Sequence, residues 1–161
     1  GKGWTVAKYL LGHERLNTGR IGGSKRELVA LKRLAQGQRR NGRPLLEDAR
    51  FAARIAELEV DLMALEITNL RFLDQMRGGR PPGAEVSMLK IKGTEIQQAI
   101  TELLMQVAGP RAQSFKPIDY EGFDEFMGSI AARYFNFRKT SIYAGSNEIQ
   151  RNIIAKMSLG L

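Results

Sequence analysis

Phe51, Ile55, Leu58, Leu62 and Leu65 recur at steps of four, three, four and three along residues 51–73. This spacing puts all five on one stripe of a helix, while Arg54, Glu57, Asp61 and Glu66 fall on its other faces. A long helix with one apolar stripe must bury that stripe, and here the available partners are other helices. Gly78-Gly79 and Pro81-Pro82 end the pattern and mark a connection. A second helix follows, with Leu89, Ile96, Ile100, Leu103 and Val107 sharing a face up to a stop at Gly109-Pro110.

The remaining segments agree with this start. Trp4 to about Leu11 reads as a short helix, and Thr18 or Gly19 to about Gln36 as a longer one. Glycines at 12, 19, 22 and 23 weaken that region as an isolated helix. They also leave room for another chain or a ligand to approach its backbone. Gly37 and the Asn41-Gly42-Arg43-Pro44 stretch form the next connection. Residues 111–122 read as loop, and 123–140 and 146–158 as two closing helices. No segment alternates with period two, and there is no internal repeat or low-complexity tract. The expected fold is an all-α up-down bundle of four main helices with additional short helices, occupying residues 1–161 as one domain.

Composition narrows the partners. The 161 residues, 43% of them hydrophobic, suffice for a real core. Lys and Arg outnumber Asp and Glu by 25 to 17, which favours polyanionic partners in general. Only Arg39, Arg40 and Arg43 cluster, and elsewhere the signs alternate as on solvated helix faces. A nucleic-acid-binding module would need a concentrated basic stripe, so no nucleic acid is expected. No apolar run is long enough to span a bilayer, and Gly1-Lys2-Gly3-Trp4 does not begin a signal peptide, so no membrane is expected. The absence of Cys excludes a disulfide framework and a thiol nucleophile, and fits a reducing, cytoplasmic setting. A start without Met suggests a processed or excerpted piece.

Few residues are equipped for chemistry. His13 is the only histidine, and Glu14 beside it points elsewhere on a helix, so no metal site is expected. Glu14 lies in "LLGHERLNTGR", at a junction between an apolar helical segment and a glycine-interrupted one. Its carboxylate fits either a base facing a cavity beside Arg15 or a solvated helical residue. The other candidate is the turn Ala144-Gly145-Ser146-Asn147. Gly145 permits close approach of a flat or phosphorylated ligand. Ser146 or Asn147 can cap the helix that follows, whose free N–H groups face a polar or anionic ligand edge. A plain cap between two helices fits the same residues.

"RKTSIYAGSNEIQRNIIAK", residues 138–156, resembles the C-terminal signature of acyl-CoA dehydrogenases, Arg-x-x-x-Ile-Tyr-x-Gly-Thr/Ser-Asn-Glu-Ile-Gln-Arg-Asn. "GKGWTVAKYLLGHERLNTGRIG" is similar to the start of that family's C-terminal domain, and "LLMQVAGP" to its Gln-x-x-Gly-Gly segment. The resemblance covers the whole chain but one of the family's three domains, leaving the N-terminal helical and middle β domains absent. It implies an FAD-dependent enzyme that oxidises an acyl-CoA thioester to the trans-2-enoyl-CoA. It also implies an electron-transfer flavoprotein as electron acceptor, and a homodimer or homotetramer, or a heterotetramer, in which neighbouring subunits share flavin contacts.

Carried over by position, the resemblance implies the following. Many members carry the catalytic Glu directly before the glycine of Ile-Tyr-x-Gly, where this chain has Ala144. Others, like the isovaleryl and long-chain enzymes, place it in an earlier Glu-Arg-Leu, matched here by Glu14-Arg15-Leu16. Glu14 is therefore the expected base, with Arg15 ordering the wall of the active site. The expected flavin contacts are Gln106, Gly109, Arg138, Gly145, Ser146, Asn147 and Glu148. The family's Arg-x-x-Phe-Gly-Lys-Pro segment departs here, with Gln38 for the Arg and Asn41 for the Phe, and Arg39 or Arg40 adjacent to the missing charge. These departures and Ala144 also fit a second expectation, a catalytically silent subunit that serves the interface and its partner's flavin.

Overall fold

The computed structural model of the chain describes residues 1–7, 9–10, 19–80, 83–113 and 125–161. Five helices carry the fold: α1 (Ile21–Gly37), α2 (Ala49–Arg77), α3 (Ser87–Ala108), α4 (Glu125–Phe137) and α5 (Asn147–Ser158). Residues 3–7 and 9–10 are also helical. The all-α expectation holds: among the described residues there are three helices of 17, 29 and 22 residues and two of 13 and 12, with shorter helical turns around them.

The helix ends differ from the expected boundaries for identifiable reasons. α1 starts at Ile21 because Arg20 before it is left-handed, at φ 46°. α2 starts ahead of Phe51 because the Asp48 carboxylate accepts the backbone N–H groups of Arg50 and Phe51, each at 3.0 Å. It runs on to Arg77, where Gly79 at φ 78° turns the chain and the N–H groups of Gly78 and Gly79 reach the carbonyls of Asp74 and Met76. The segment expected as one helix to residue 140 changes type instead: α4 ends at Phe137 and a 3-10 turn covers Arg138–Ser141.

The connection at 39–44 is a two-stranded hairpin rather than plain loop. Strand β1 (Arg39–Arg40) pairs antiparallel with β2 (Arg43–Pro44), with Arg40 opposite Arg43. Asn41 and Gly42 at φ 53° and 79° make the tight turn that an Asn-Gly pair favours. Strands of two residues are too short to show an alternating pattern.

α3 is the axis of the molecule, packing against α1, α2, α4 and α5. The five apolar positions read from the α2 stripe are all buried, as are the five read from α3. α3 is covered on more than that one face, however. Lys90, Thr94, Gln97 and Thr101 are buried as well. A partly exposed ion pair, Arg133 to Glu27 at 2.8 Å, ties α4 to α1. Across α1 and α2, Lys25 pairs with Glu66 and Lys32 with Glu59. Exposed pairs of this kind contribute about 0–1 kcal/mol each, so packing on α3 dominates the fold.

Candidate functional site

Between α4 and α5 the chain makes a turn with two consecutive residues at positive φ. Ala144 sits in the left-handed region at φ 55°, followed by Gly145 at φ 83°. A left-handed alanine costs roughly 1–2 kcal/mol, so the surroundings must hold it there. The turn nevertheless faces outward: Ile142 is 69% exposed and Tyr143 55%. Two large apolar side chains thus stand exposed next to a left-handed turn.

Gly145 has an additional reason inside the chain. A Cβ there would stand 2.6 Å from Gln150 Nε2, which donates to the Gly145 carbonyl at 3.3 Å. Ser146, rather than Asn147, caps α5: its backbone is extended and its Oγ accepts the Ile149 N–H at 3.4 Å. Glu148 is exposed in the first turn of α5. Hydrogen bonds from its own backbone N–H and from the Ser146 hydroxyl hold its carboxyl below the usual carboxylate value, so it remains ionised at neutral pH.

Asn147 points inward. Its Oδ1 accepts from Lys90 Nζ at 2.8 Å, and its Nδ2 donates to Thr94 Oγ1 at 3.1 Å. Lys90 is 1% exposed, and burial pushes its ammonium below the usual lysine value, against a partial offset from the Glu148 carboxylate. Four residues beyond Thr94 on α3, Gln98 Nε2 lies 3.1 Å from Ser141 Oγ and 3.3 Å from the carbonyls of Phe137 and Arg138. Arg138 lies over the Tyr134 ring at 4.3 Å. It donates through Nε to the Tyr134 carbonyl, and through Nη2 to the Gln98 carbonyl and Thr101 Oγ1. The donors of Arg138 thus go largely to the chain itself.

Gln106 and Gly109 lie elsewhere. Arg54 of α2 donates to Gln106 Oε1 at 3.0 Å, which orients the amide and leaves Nε2 with no partner among the described residues. Gly109 ends α3 at φ 61°, with open space where a Cβ would be. Gln106 is twelve residues beyond Thr94 on α3, about 18 Å along the axis at 1.5 Å per residue. One chain therefore brings Gly145, Ser146, Asn147 and Glu148 together, keeps Arg138 midway, and puts Gln106 and Gly109 at the opposite end.

The expected base Glu14 and its neighbour Arg15 lie outside the described residues, as does His13. The backbone close to them is fixed at Gly19, which abuts Gly93 of α3. Near the hairpin, Arg39 Nη1 donates to the Gly42 carbonyl at 2.8 Å, whereas Arg40 stands opposite Arg43. Among the described residues no group of three or more His, Cys, Asp or Glu is placed to hold a metal ion, and no helix is long and apolar enough to cross a membrane.

Reading the sequence for apolar stripes missed Lys90, Thr94, Gln98 and Thr101. The four recur at steps of four, four and three and so share one face of the helix, but α3 also carries Lys92, Glu95, Gln97, Glu102 and Gln106, which hides that face among ordinary polar positions.

The family model described as "Acyl-CoA dehydrogenase, C-terminal domain" matches residues 1–159. The acyl-CoA dehydrogenase IpdE1 of Mycolicibacterium smegmatis is 29% identical over 161 residues, all of this chain and 37% of that protein. The chain thus spans little more than a third of this curated relative. An acyl-CoA dehydrogenase from Geobacillus kaustophilus superimposes with a TM-score of 0.81 at 26% identity, covering 100% of this chain and 40% of that one. A glutaryl-coenzyme A dehydrogenase in complex with glutaryl-CoA shares the fold at a TM-score of 0.81 and 21% identity, over 99% of this chain and 38% of its own.

Proposed function

The chain belongs to the acyl-CoA dehydrogenase family as its C-terminal domain, and from that premise we propose that it forms the helical part of an FAD-dependent enzyme that introduces an α,β double bond into an acyl-CoA thioester. The observation that carries this reading is the turn at 142–146: strained, apolar at Ile142 and Tyr143, outward-facing, and anchored on α3 on both sides. Such a surface suits the flat, partly apolar body of a flavin. The Ser146-capped start of α5 adds N–H groups beside it. At the far end of α3, Gln106 presents an oriented amide donor, consistent with a contact to a second flavin in an assembled oligomer.

FAD, when bound, supplies the acceptor for the β-hydrogen, which departs with its electron pair. The chain's own part is acid–base chemistry and orientation. We assign the base to Glu14, whose carboxylate takes the α-proton while the electron pair of that C–H bond becomes the new Cα–Cβ double bond. Ala144, where many family members have the base, carries no titratable group and leaves space beside the reacting carbons. Arg15 orders the wall next to Glu14. Arg138 holds the 3-10 turn on α3, so that the Ile142–Ser146 turn keeps its shape.

Electrons then pass to an electron-transfer flavoprotein, and subunits pair as homodimers or homotetramers, or as heterotetramers, in the cytoplasm. The test is the flavin content of the purified full-length protein and its acyl-CoA-dependent reduction of a dye acceptor. A yellow, acyl-CoA-reducible protein supports the reading, and a colourless, inert one contradicts it. One set of residues favours a second reading: Ala144, Gln38 and Asn41 together suit a catalytically silent subunit of a heteromer. A preparation that takes up FAD only when a second gene product is co-expressed, and whose activity survives Glu14→Gln, selects that alternative.

A further inference from the structure

Lys90 is the least expected residue in the core. Burying an ammonium is costly, and a methionine of similar length would fill the same space without desolvating a charge. Among the described residues its ion pairs include no carboxylate contact, and its hydrogen bond goes to the neutral amide oxygen of Asn147. It also lies beside the N-terminus of α5, where the helix dipole disfavours a cation. Stability alone therefore gives no reason for a lysine here.

The geometry does. Thr94 Oγ1 lies 2.9 Å from the Ile91 carbonyl, to which it can donate, and its lone pairs then receive Asn147 Nδ2 at 3.1 Å. Thr94 Oγ1 also lies 3.2 Å from Asn147 Oδ1, so it is Lys90 Nζ, which can only donate, that fixes the amide with its oxygen toward the lysine through the 2.8 Å bond. One and two turns further along the same face, Gln98 and Thr101 grip the segment 137–141. Ile142–Ser146 is thus a short bridge between two abutments on one helix. Within the bridge, the left-handed Ala144–Gly145 pair is held from below by Gln150.

We propose that Lys90 is a positioning residue: through Asn147 it sets where α5 begins, and so how the Ala144–Gly145–Ser146 turn is presented to the flavin. This rests on the flavin-facing reading of the turn above. Its effect is on cofactor binding, because the segment it holds is exposed and contributes little to the core.

Lys90→Met and Thr94→Val, each in the full-length protein, test the proposal by two readouts. One is FAD affinity by titration of the apoprotein, with the circular dichroism of the bound flavin. The other is amide hydrogen exchange in flavin-free protein. For Lys90→Met the expected result is FAD binding weakened about tenfold or more and an altered flavin dichroism. Exchange at 145–149 accelerates, while exchange at 98–101 is unchanged. Thr94→Val shifts both in the same direction. A Lys90→Met protein that melts lower but binds FAD within about twofold of wild type, with unchanged dichroism, reduces Lys90 to a structural role and overturns the proposal. If Lys90→Met does not fold, the near-isosteric Thr94→Val decides, and wild-type affinity and exchange there overturn it too. A wild-type protein that takes up no FAD contradicts the proposed function instead. The flavin part of the proposal then falls with it, and the exchange data decide whether Lys90 sets the turn.

Discussion

Gly93 of α3 meets Gly19 backbone to backbone: a Cβ on Gly93 would stand 2.5 Å from the Gly19 Cα and 2.8 Å from its carbonyl oxygen. No flexible side chain can yield at this contact, so the two segments approach as closely as they do only because residue 93 is glycine, whereas a Cβ on Gly19 would make ordinary contacts of 3.6 Å or more. The contact also pins the chain five residues after Glu14.

Gly93→Ala should therefore destabilise the protein by about 1–3 kcal/mol, through overpacking against backbone rather than through loss of any bond. Gly22→Ala, in the first turn of α1 with open space around it, should raise stability by about 0.4–1 kcal/mol. Urea unfolding of the two variants checks the contrast. Equal effects would mean that the Gly93–Gly19 approach is not tight.

The turn before α5 separates two causes in the same way. Gly145→Ala must place a side chain at φ 83° and against Gln150 Nε2, at a cost of about 1–3 kcal/mol. Ser146→Ala removes only a long cap bond of 3.4 Å, at a cost of about 0.5 kcal/mol. Thermal unfolding should rank them in that order. The reverse ranking would show that the cap, rather than the backbone, holds the turn.

Lys90 makes a prediction about pH. Burial lowers its folded-state value below the ordinary 10.5, so over the interval between the two the unfolded chain binds the additional proton. The penalty is complete below the folded value and relieved as pH rises toward 10.5. Relative to Lys90→Met, the wild type should thus gain stability as pH rises through the lowered folded value toward 10.5. Subtracting the variant cancels the groups not coupled to Lys90, and Glu148, which is coupled to it, stays ionised across this alkaline range. A difference that stays level or falls with pH would mean that the ammonium is not desolvated.

Glu148 runs the other way. Its lowered carboxyl contributes stability that is present above the ordinary 4.5 and lost as pH falls through the lower folded value. Glu148→Gln should be less stable than the wild type near neutrality and have a flatter acid limb, the two curves converging once pH falls below the lowered folded value. A variant with the wild-type acid limb would remove Glu148 from the linkage.

The parts of this fold that were legible in the sequence are those set by apolar period. Phe51, Ile55, Leu58, Leu62 and Leu65 lie buried as their spacing requires, and the α3 stripe does likewise. Helix ends were less legible, because Arg20 in a left-handed conformation and the Asp48 cap act through single backbone bonds that no window of hydrophobicity registers. The hairpin at 39–44 escaped for want of length, although Asn41-Gly42 advertised its turn. At the candidate site the motif at 138–148 was legible as a likeness. Its support from Lys90, Thr94, Gln98 and Thr101 was not, because polar residues inside a helix ordinarily read as a solvated face, and only the packing of α3 on four other helices reverses that.

The proposed role of Glu14 as the base is tested most directly by flavin reduction. Wild-type and Glu14→Gln full-length proteins, both loaded with FAD, are mixed anaerobically with the saturated acyl-CoA that the wild type reduces fastest, and flavin bleaching is followed. Glu14→Gln should retain FAD at wild-type occupancy and bleach about 10²–10⁴-fold more slowly. Bleaching at the wild-type rate would contradict the assignment and place the base outside Glu14.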